Sequence, residues 1–553
     1  MIYPKIPLAQ SVIEVCRLQG IQHIVISPGS RNAPLTIGFT NNNAFQCYSV
    51  VDERCAAFFA LGMAQQLRKP VAVVCTSGSA LLNYYPAVAE AFYSQIPLVV
   101  ISADRPKEKI DIGDGQTIRQ ENVFSNHSLF NANLNEDASI ENDSLMFEAI
   151  TVSVNQKGPV HINVPFEEPL YDTQDFCSVK SVFKNNNNSV ETFQISEDIV
   201  QLWNNAAKKM ILVGELFPNT LSSEILEKLA RDESIVVFTE KTSNLHHSTF
   251  ISNIDTIITP FSDENFQQLQ PDLLITFGGM VVSKRVKAFL RSYQPQHHWH
   301  IDTLRAYDTY GCLTNYIKTD VTTFFNKLLP VVQSNHNSSY QQFVQNIAAL
   351  RKKNQEKFQA TAPFSDFKVF ETIVTKLPSN IQLQVSNSSA IRYLQLMNLE
   401  TSIEVFCNRG TSGIDGSTST AIGAAVASEK PTVLLTGDIS FFYDSNALWN
   451  GNIPTNFKII LINNSGGGIF RILPGHQENK TFNHFFETTH NLTAECLCKM
   501  FNIKYLMAKN ESEVEQNLQL LFEKNKQPTL LEVFTPEKEN DKVLKDFFKK
   551  LAS

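Results

Sequence analysis

Short apolar runs rich in valine and isoleucine alternate along the chain with stretches whose apolar residues recur at three- and four-residue spacing. In the first third the runs are HIVISPGS (23–30), PVAVVCTSGSA (70–80), PLVVISADRP (97–106) and PVHINVPF (159–166), each ending in small or turn-forming residues. The intervening pattern predicts helices over 54–66 and 82–93, the first preceded by a strand over 48–51. The last third repeats the scheme in IQLQVSNSS (381–389), SIEVFCNRG (402–410), PTVLLTGDIS (431–440), FKIILINNSGG (457–467) and PTLLEVF (528–534). The middle third does so more weakly, in KMILVGE (209–215), SIVVFTE (234–240), DLLITFGG (272–279) and HHWHID (297–302).

Such alternation is the mark of parallel sheets covered by helices. Two polar breaks, 184–189 and 334–339, divide the chain, the second followed by a charged helical stretch over 340–359. The predicted class is therefore α/β: three consecutive doubly wound parallel-sheet domains at 1–180, 190–335 and 360–553. Open parallel sheets bind ligands at the carboxyl ends of their strands. That rule directs attention to Ser30-Arg31, Asp52-Glu53, Ser77-Gly78, Asp104-Arg105, Ser388, Arg409, Gly437-Asp438 and Asn463-Asn464.

Composition narrows the class of partner. The 553 residues carry a formal charge of −8, which argues against a broad nucleic-acid or anionic-membrane surface. An anionic ligand must then be met by a local cluster of cations. No apolar run approaches the ~20 residues needed to span a bilayer, and the amino-terminal residues lack the apolar core of a signal peptide. Nine scattered cysteines read as reduced thiols of a cytoplasmic protein.

The sharpest chemical pair is Gly437-Asp438 and Asn463-Asn464, each at the end of an apolar run. Their spacing suits a strand–helix–strand unit that returns both to one sheet edge. A carboxylate and an amide oxygen meeting there suit a hard divalent cation. Glu53, taken alone, is a carboxylate that complements a helix start, with Asp52 as the cap. His297-His298-Trp299-His300 has no metal spacing and reads as strand. No G-x-G-x-x-G opens a helix after a strand, so a dinucleotide site is not indicated.

Taken together these features resemble the thiamine diphosphate enzymes. That family pairs a GD(G) with an NN some 25 positions later in a diphosphate-binding domain, and takes a glutamate from a separate pyrimidine-binding domain. Here Ile439 stands where the general motif has its second glycine. SPGSR (27–31), SADRP (102–106), QTIRQ (116–120), NRGTSGIDG (408–416) and GGIF (467–470) resemble the family's carboligases of menaquinone biosynthesis.

The resemblance implies thiamine diphosphate and Mg²⁺ (or Mn²⁺) as cofactors. Asp438, Asn464 and the Gly466 carbonyl would hold the metal, Ser388 would bond the diphosphate, Ile414 would wedge the cofactor into its bent shape, and Glu53 would serve catalysis at the pyrimidine. It implies 2-oxoglutarate and isochorismate as substrates, in a cleft of Ser30, Arg31, Arg105, Gln116, Lys284, Arg285, Arg392, Arg409, Ile469, Phe470 and Leu473. It also implies a homodimer with shared active sites, or a homotetramer. Both substrates are dicarboxylates, and guanidinium groups hold carboxylates in a dry cleft. Arg31, Arg105, Arg119, Arg285, Arg392 and Arg409 are the arginines near expected sheet edges. Other readings are a thiamine-dependent 2-oxo acid decarboxylase, an acetohydroxy acid synthase-like enzyme, and a non-catalytic relative; the arginine set and the joint presence of Glu53, Asp438 and Asn464 favour the carboligase.

Overall fold

The structure, a computed structural model, describes residues 2–181, 193–472, 475, 477–524 and 526–552. The polar break at 184–189 and Leu473 lie outside the described residues. Three parallel sheets follow one another along the chain.

The first sheet contains β1 (His23–Ile26), β2 (Gln46–Ser49), β3 (Val71–Cys75), β4 (Leu98–Asp104), β5 (Phe130–Asn133) and β6 (Val160–Pro165), in the spatial order β2-β1-β3-β4-β6-β5. The central sheet contains β7 (Lys209–Val213), β8 (Ile235–Phe238), β9 (Leu273–Phe277), β10 (His297–Ile301) and β11 (Asn315–Ile317), ordered β8-β7-β9-β10-β11. The third holds β12 (Gln382–Val385), β13 (Glu404–Phe406), β14 (Thr432–Gly437), β15 (Lys458–Asn463), β16 (Lys504–Ala508) and β17 (Thr529–Phe534). Its order, β13-β12-β14-β15-β17-β16, repeats that of the first sheet strand for strand.

The central strands are the apolar runs of the sequence because helices cover both their faces: every residue of β3, β4 and β6 is buried. Three of the six edge strands escape the pattern. β5 (FNAN), β11 (NYI) and β16 (KYLMA) lack the valine- and isoleucine-rich run of the central strands, since an edge strand is paired on one side only. β2 lies two residues earlier than expected. The expected helix over 82–93 is two helices, Ser79–Asn83 and Tyr85–Ser94, because Pro86 in the first turn of the second starts the helix anew. The Tyr340–Gln359 helix agrees with its expected bounds. Among the described residues, no helix is long and apolar enough to cross a membrane.

One hydrophobic core is shared between the first and third sheets, joining Val73, Phe59 and Val100 to Ala421, Leu434 and Leu461. At its centre the Glu53–Leu67 helix lies against the Ser417–Ala427 helix, backbone to backbone. A β-carbon on Gly62 would stand 2.0 Å from the Thr420 carbonyl oxygen, and one on Gly423 would stand 2.0 Å from that of Phe59. The two glycines let the helices approach closely, and so fix the first sheet relative to the third. The central sheet keeps its own cores, one on each face.

Candidate active site

β14 and β15 run side by side with Gly437 opposite Ile462, so Asp438 and Asn463-Asn464 emerge at one sheet edge, as their spacing predicts. Asp438 opens the Asp438–Tyr443 helix and is 3% exposed. Its Oδ1 accepts from the Ile439 amide (2.7 Å) and its Oδ2 from the Gly466 amide (2.9 Å). His490 Nε2 lies 3.3 Å from the same Oδ2.

The two asparagines part ways. Asn463 turns into the scaffold, donating to Glu532 Oε1 (2.7 Å) and the Leu492 carbonyl (2.9 Å). Asn464 donates its Nδ2 to Asp366 Oδ2 (2.9 Å), which turns its Oδ1 the other way. The Gly466 carbonyl accepts from the Gly468 amide (3.0 Å), with one lone pair left over. A carboxylate, an amide oxygen and a carbonyl form a hard oxygen donor set, which fits Mg²⁺ or Mn²⁺.

Beside this edge, β12 leads into Asn387 and Ser388. Ser388 has φ +69 at the start of the Ser389–Leu394 helix, and its carbonyl accepts from Arg392 Nη1 (2.8 Å). The Asn387 amide is the hub of the neighbouring loop. Its Nδ2 donates to the carbonyls of Asn408 and Gly413 (2.7 Å each), while its Oδ1 accepts from Arg409 Nη1 (2.6 Å). The loop also carries Ile414, half-buried, whose carbonyl accepts from the Ser440 hydroxyl (2.7 Å). Ile469 and Phe470 begin the short Ile469–Ile472 helix.

Arg409 is 8% exposed, and its Nε has no partner among the described residues. Burial lowers the pKa of Arg392, and the charge of Arg409 lowers it further, with Asp255 opposing. Burial raises the pKa of Asp255, against the pull of the Ser283 hydroxyl, Arg285 and Arg392. Three of the expected arginines thus gather where the central sheet meets the third. Lys284 and Arg285 begin the Lys284–Ser292 helix, with the Arg285 guanidinium 4.7 Å from the ring centre of Phe548.

The remaining predicted residues lie at the carboxyl edge of the first sheet. Arg31 is 3% exposed and donates to the Phe166 carbonyl (3.0 Å) and Glu168 (3.2 Å). Ser30 is exposed beside it. Arg105 pairs with Asp114 at 3.1 Å. Gln116, exposed with φ +57, belongs to a loop pinned by Gln120, whose Oε1 accepts from the Gly78 amide (2.8 Å). Arg119 departs from expectation: it faces solvent with its side chain 83% exposed and pairs with Asp111 (2.8 Å). A charged side chain in a polar loop gains more from water than from the sheet edge.

Asp52 caps the Glu53–Leu67 helix, accepting from the Cys55 amide (3.2 Å). Glu53 is half-buried and accepts from Asn83 Nδ2 at 3.4 Å. Its charge reaches the Cys75 thiol, which burial has already pushed up.

Sequence reasoning missed Asp366, Asn387 and His490. A cavity of about 630 Å³ opens between the first and central sheets, walled by Arg68, Phe217, Gly278 and Arg305. None of the predicted site residues lines it. Most of the predicted site residues stand instead at the strand ends of the first and third sheets.

Comparison with known proteins agrees with this geometry. Residues 6–128 match the family model described as thiamine pyrophosphate enzyme, N-terminal TPP binding domain. Residues 173–385 match the middle domain of thiamine pyrophosphate enzymes, and residues 387–533 the C-terminal TPP binding domain. The chain is 62% identical to a 2-succinyl-5-enolpyruvyl-6-hydroxy-3-cyclohexene-1-carboxylate synthase of Flavobacterium johnsoniae, over 100% of both chains. It is 63% identical to the enzyme of that name from Flavobacterium psychrophilum and 52% identical to that from Christiangramia forsetii, again over 100% of both chains. An α/β fold of three parallel sheets, a carboxylate and an asparagine amide brought to one strand edge, and full-length identity of this degree have one reading: the chain belongs to the thiamine pyrophosphate enzymes, and among them to the 2-succinyl-5-enolpyruvyl-6-hydroxy-3-cyclohexene-1-carboxylate synthases.

Proposed function

We propose that the chain removes carbon dioxide from 2-oxoglutarate and adds the remaining succinic semialdehyde unit to isochorismate by conjugate addition. The product is 2-succinyl-5-enolpyruvyl-6-hydroxy-3-cyclohexene-1-carboxylate, an intermediate of menaquinone biosynthesis. The chain is a thiamine diphosphate-dependent transferase by family. Its proposed divisions are a pyrimidine-binding domain at 1–180, a central domain at 190–335 and a diphosphate-binding domain at 360–553. Nine free cysteines fit a cytoplasmic enzyme.

One observation carries the substrate assignment. Arg409 is buried with an Nε unpartnered among the described residues, and half-buried Arg392 stands close enough that the charge of Arg409 adds to burial in lowering its pKa. Two like charges kept out of water are costly unless an anion joins them. A dicarboxylate supplies that anion, and guanidinium groups bind it bidentately. A monocarboxylate offers no second carboxylate for half-buried Arg392 beside buried Arg409.

Asp438, Asn464 and the Gly466 carbonyl would hold Mg²⁺ or Mn²⁺ against the cofactor diphosphate, with Ser388 as a further hydrogen-bond partner. Bound thiamine diphosphate supplies the electron sink that decarboxylation of a 2-oxo acid needs. Ile414 would support the bent cofactor. Glu53 would share a proton with N1′ of the pyrimidine, its place at a helix start keeping the carboxylate available. Ser30, Arg31, Arg105 and Gln116 would close the cleft from the first sheet. Lys284, Arg285, Ile469, Phe470 and Leu473 would close it from the other side.

In this reading a second copy of the chain brings the first sheet's residues to the cleft of the third's. Exposed Tyr443, Trp449, Phe485, Phe486 and Leu492 are apolar surface that a homodimer would cover; a homotetramer would pair two such dimers.

The test is mass spectrometry of the products formed from both substrates with thiamine diphosphate and Mg²⁺. A single adduct is expected, with carbon dioxide release from 2-oxoglutarate strongly stimulated by isochorismate. Rapid release without isochorismate, or acetohydroxy acids formed from pyruvate, would favour the decarboxylase or acetohydroxy acid synthase reading. Glu53→Gln should bind cofactor yet slow hydrogen–deuterium exchange at the thiazolium C2; unchanged exchange would remove Glu53 from its role.

A further inference from the structure

The Tyr85–Ser94 helix of the first domain carries one carboxylate, Glu90, and buries it to 1% exposure. An ionised side chain in that position costs several kcal/mol unless hydrogen bonds replace its water. On its own helix Glu90 finds one donor, the Ser94 hydroxyl (2.7 Å). The rest come from the third domain, some 320 positions away. The Gly410 amide donates at 2.8 Å, the Thr411 amide at 2.7 Å and the Thr411 hydroxyl at 2.7 Å.

Those donors are the two residues that follow Arg409. Gly410 is required for the approach: a β-carbon there would stand 2.7 Å from the Glu90 carbonyl oxygen and 2.8 Å from the Ser94 hydroxyl. On the preceding side, Arg409 Nη1 is held by Asn387 Oδ1 (2.6 Å). Glu90 makes no ion pair with Arg409 among the described residues, so the carboxylate does not consume the charge of the guanidinium. It holds the backbone behind it. Both charges are nevertheless felt nearby: burial and Glu90 push the Glu215 carboxyl up to about 8, with Arg409 opposing.

We propose that Glu90 is a positioning residue, fixing the backbone after Arg409 so that the guanidinium meets a substrate carboxylate at a set distance and angle. The inference rests on the reading of Arg409 as a substrate ligand. It extends that reading by assigning part of the substrate geometry to a side chain of the first domain, remote in sequence from the loop it holds. Charge-assisted bonds to a buried carboxylate are among the stronger hydrogen bonds in proteins, so three of them from one loop define it firmly.

The test uses full-length enzyme with cofactor bound. In Glu90→Gln the amide nitrogen takes the place of one carboxylate oxygen and meets the Gly410 or the Thr411 N–H, from which it cannot accept, so the loop must shift. The Michaelis constant for the dicarboxylate affected by Arg409→Ala should rise about tenfold, with a smaller change in kcat. Thiamine diphosphate affinity and C2 exchange should stay within about twofold of wild type, which a merely structural defect would not allow. Thr411→Val removes one donor without touching the first domain and should move the same constant about threefold. Glu90→Gln added to Arg409→Ala should cause no further rise, because the two act as one unit.

Wild-type Michaelis constants in Glu90→Gln and Thr411→Val, an additive effect in the double variant, or an equal fall in cofactor affinity would each overturn the proposal. If Glu90→Gln does not fold, Thr411→Val decides. Should Arg409→Ala itself leave every Michaelis constant unchanged, the reading of Arg409 fails and this inference with it. A rise in Arg409→Ala alone refutes only Glu90.

Discussion

Asp366 Oδ2 accepts the Nδ2 hydrogen of Asn464 at 2.9 Å, which fixes the amide plane of Asn464 and leaves its oxygen out of that bond. Asp366 is itself fixed: its Oδ1 accepts from the Thr535 hydroxyl (2.5 Å), and its amide donates to Asn540 (2.8 Å). If Asn464 is the metal ligand proposed above, the carboxylate behind it sets its orientation, and losing such a group commonly costs ~10–100-fold in metal affinity. Asp366→Ala should therefore weaken Mg²⁺ binding at least about tenfold in calorimetric titrations with thiamine diphosphate present. Asp366→Asn, which still offers an oxygen to Asn464, should lose less. Equal affinities in all three proteins would mean that Asn464 is oriented without help.

How much of this was legible beforehand depended on where the partners lie. Asp438 and Asn464 could be read because each follows a fully buried strand and the spacing brings both to one edge. The central strands could be read for the same reason. β5, β11 and β16 could not, being short edge strands of mixed polarity. Asp366, Asn387 and Glu90 gave no signal at all, since a buried polar side chain is defined by donors elsewhere in the chain. For Asp366 and Glu90 those donors lie 98 and 320 positions away. Six arginines were expected near sheet edges; Arg119 answers instead to Asp111 in a solvated loop.

Arg392 and Arg409 differ in how they are held, and their variants should differ accordingly. Arg409 is tied to Asn387, whereas Arg392 reaches back to the Ser388 carbonyl just after β12. Truncating either removes charge-assisted bonds worth about 1.5–3 kcal/mol in a dry site. Arg409→Ala should raise the Michaelis constant of one dicarboxylate by about tenfold or more, leaving cofactor affinity close to wild type. Arg392→Ala should raise a Michaelis constant and also disturb Ser388, and so weaken thiamine diphosphate binding. Steady-state kinetics with each substrate varied in turn will separate the two; wild-type values throughout would misplace the cleft.

Asp444 predicts a pH dependence of stability. It is fully buried between the first and third domains, accepting from the Ser419 amide (2.7 Å) and hydroxyl (3.0 Å), with Arg54 at 3.8 Å. Burial pushes its carboxyl up to about 6, although Ser419 and Arg54 pull it down. The folded pKa is thus above the unfolded value of about 3.9, so the folded state holds this proton more tightly. The resulting stabilisation is complete below about pH 4 and is lost as the pH rises through about 6. Relative to Asp444→Asn, which has no proton to lose, the wild-type protein should lose on the order of 2–3 kcal/mol between these limits. Urea unfolding of both proteins at pH 4.5, 5.5 and 6.5 gives the difference; a constant gap would show that Asp444 titrates alike in both states.

The arrangement around Glu53 leads to the strongest test of assembly. Its neighbours in sequence are engaged with the third domain of their own chain: Arg54 Nη2 donates to the Tyr443 carbonyl (2.8 Å), and Asp52 Oδ2 accepts from Asn446 (2.8 Å). The Glu53 carboxylate between them instead accepts from Asn83, within its own domain. If Glu53 serves a cofactor held by a second copy, Glu53→Gln and Asp438→Ala damage different halves of each site. A mixed dimer of the two variants then carries one site with both defects and one with neither. Each variant alone should have less than about 1% of wild-type activity, the scale on which loss of a proton-sharing or metal-binding group slows catalysis. Co-expressed in equal amounts, random pairing makes half the dimers mixed, each with one intact site of two. About a quarter of wild-type activity should return, by the population weighting that governs any mixed ensemble. Sites built within one chain would give no recovery, because every site would keep a defect whichever chains paired. Recovery near a quarter, confined to the dimer fraction in sedimentation, is the outcome that a shared site requires.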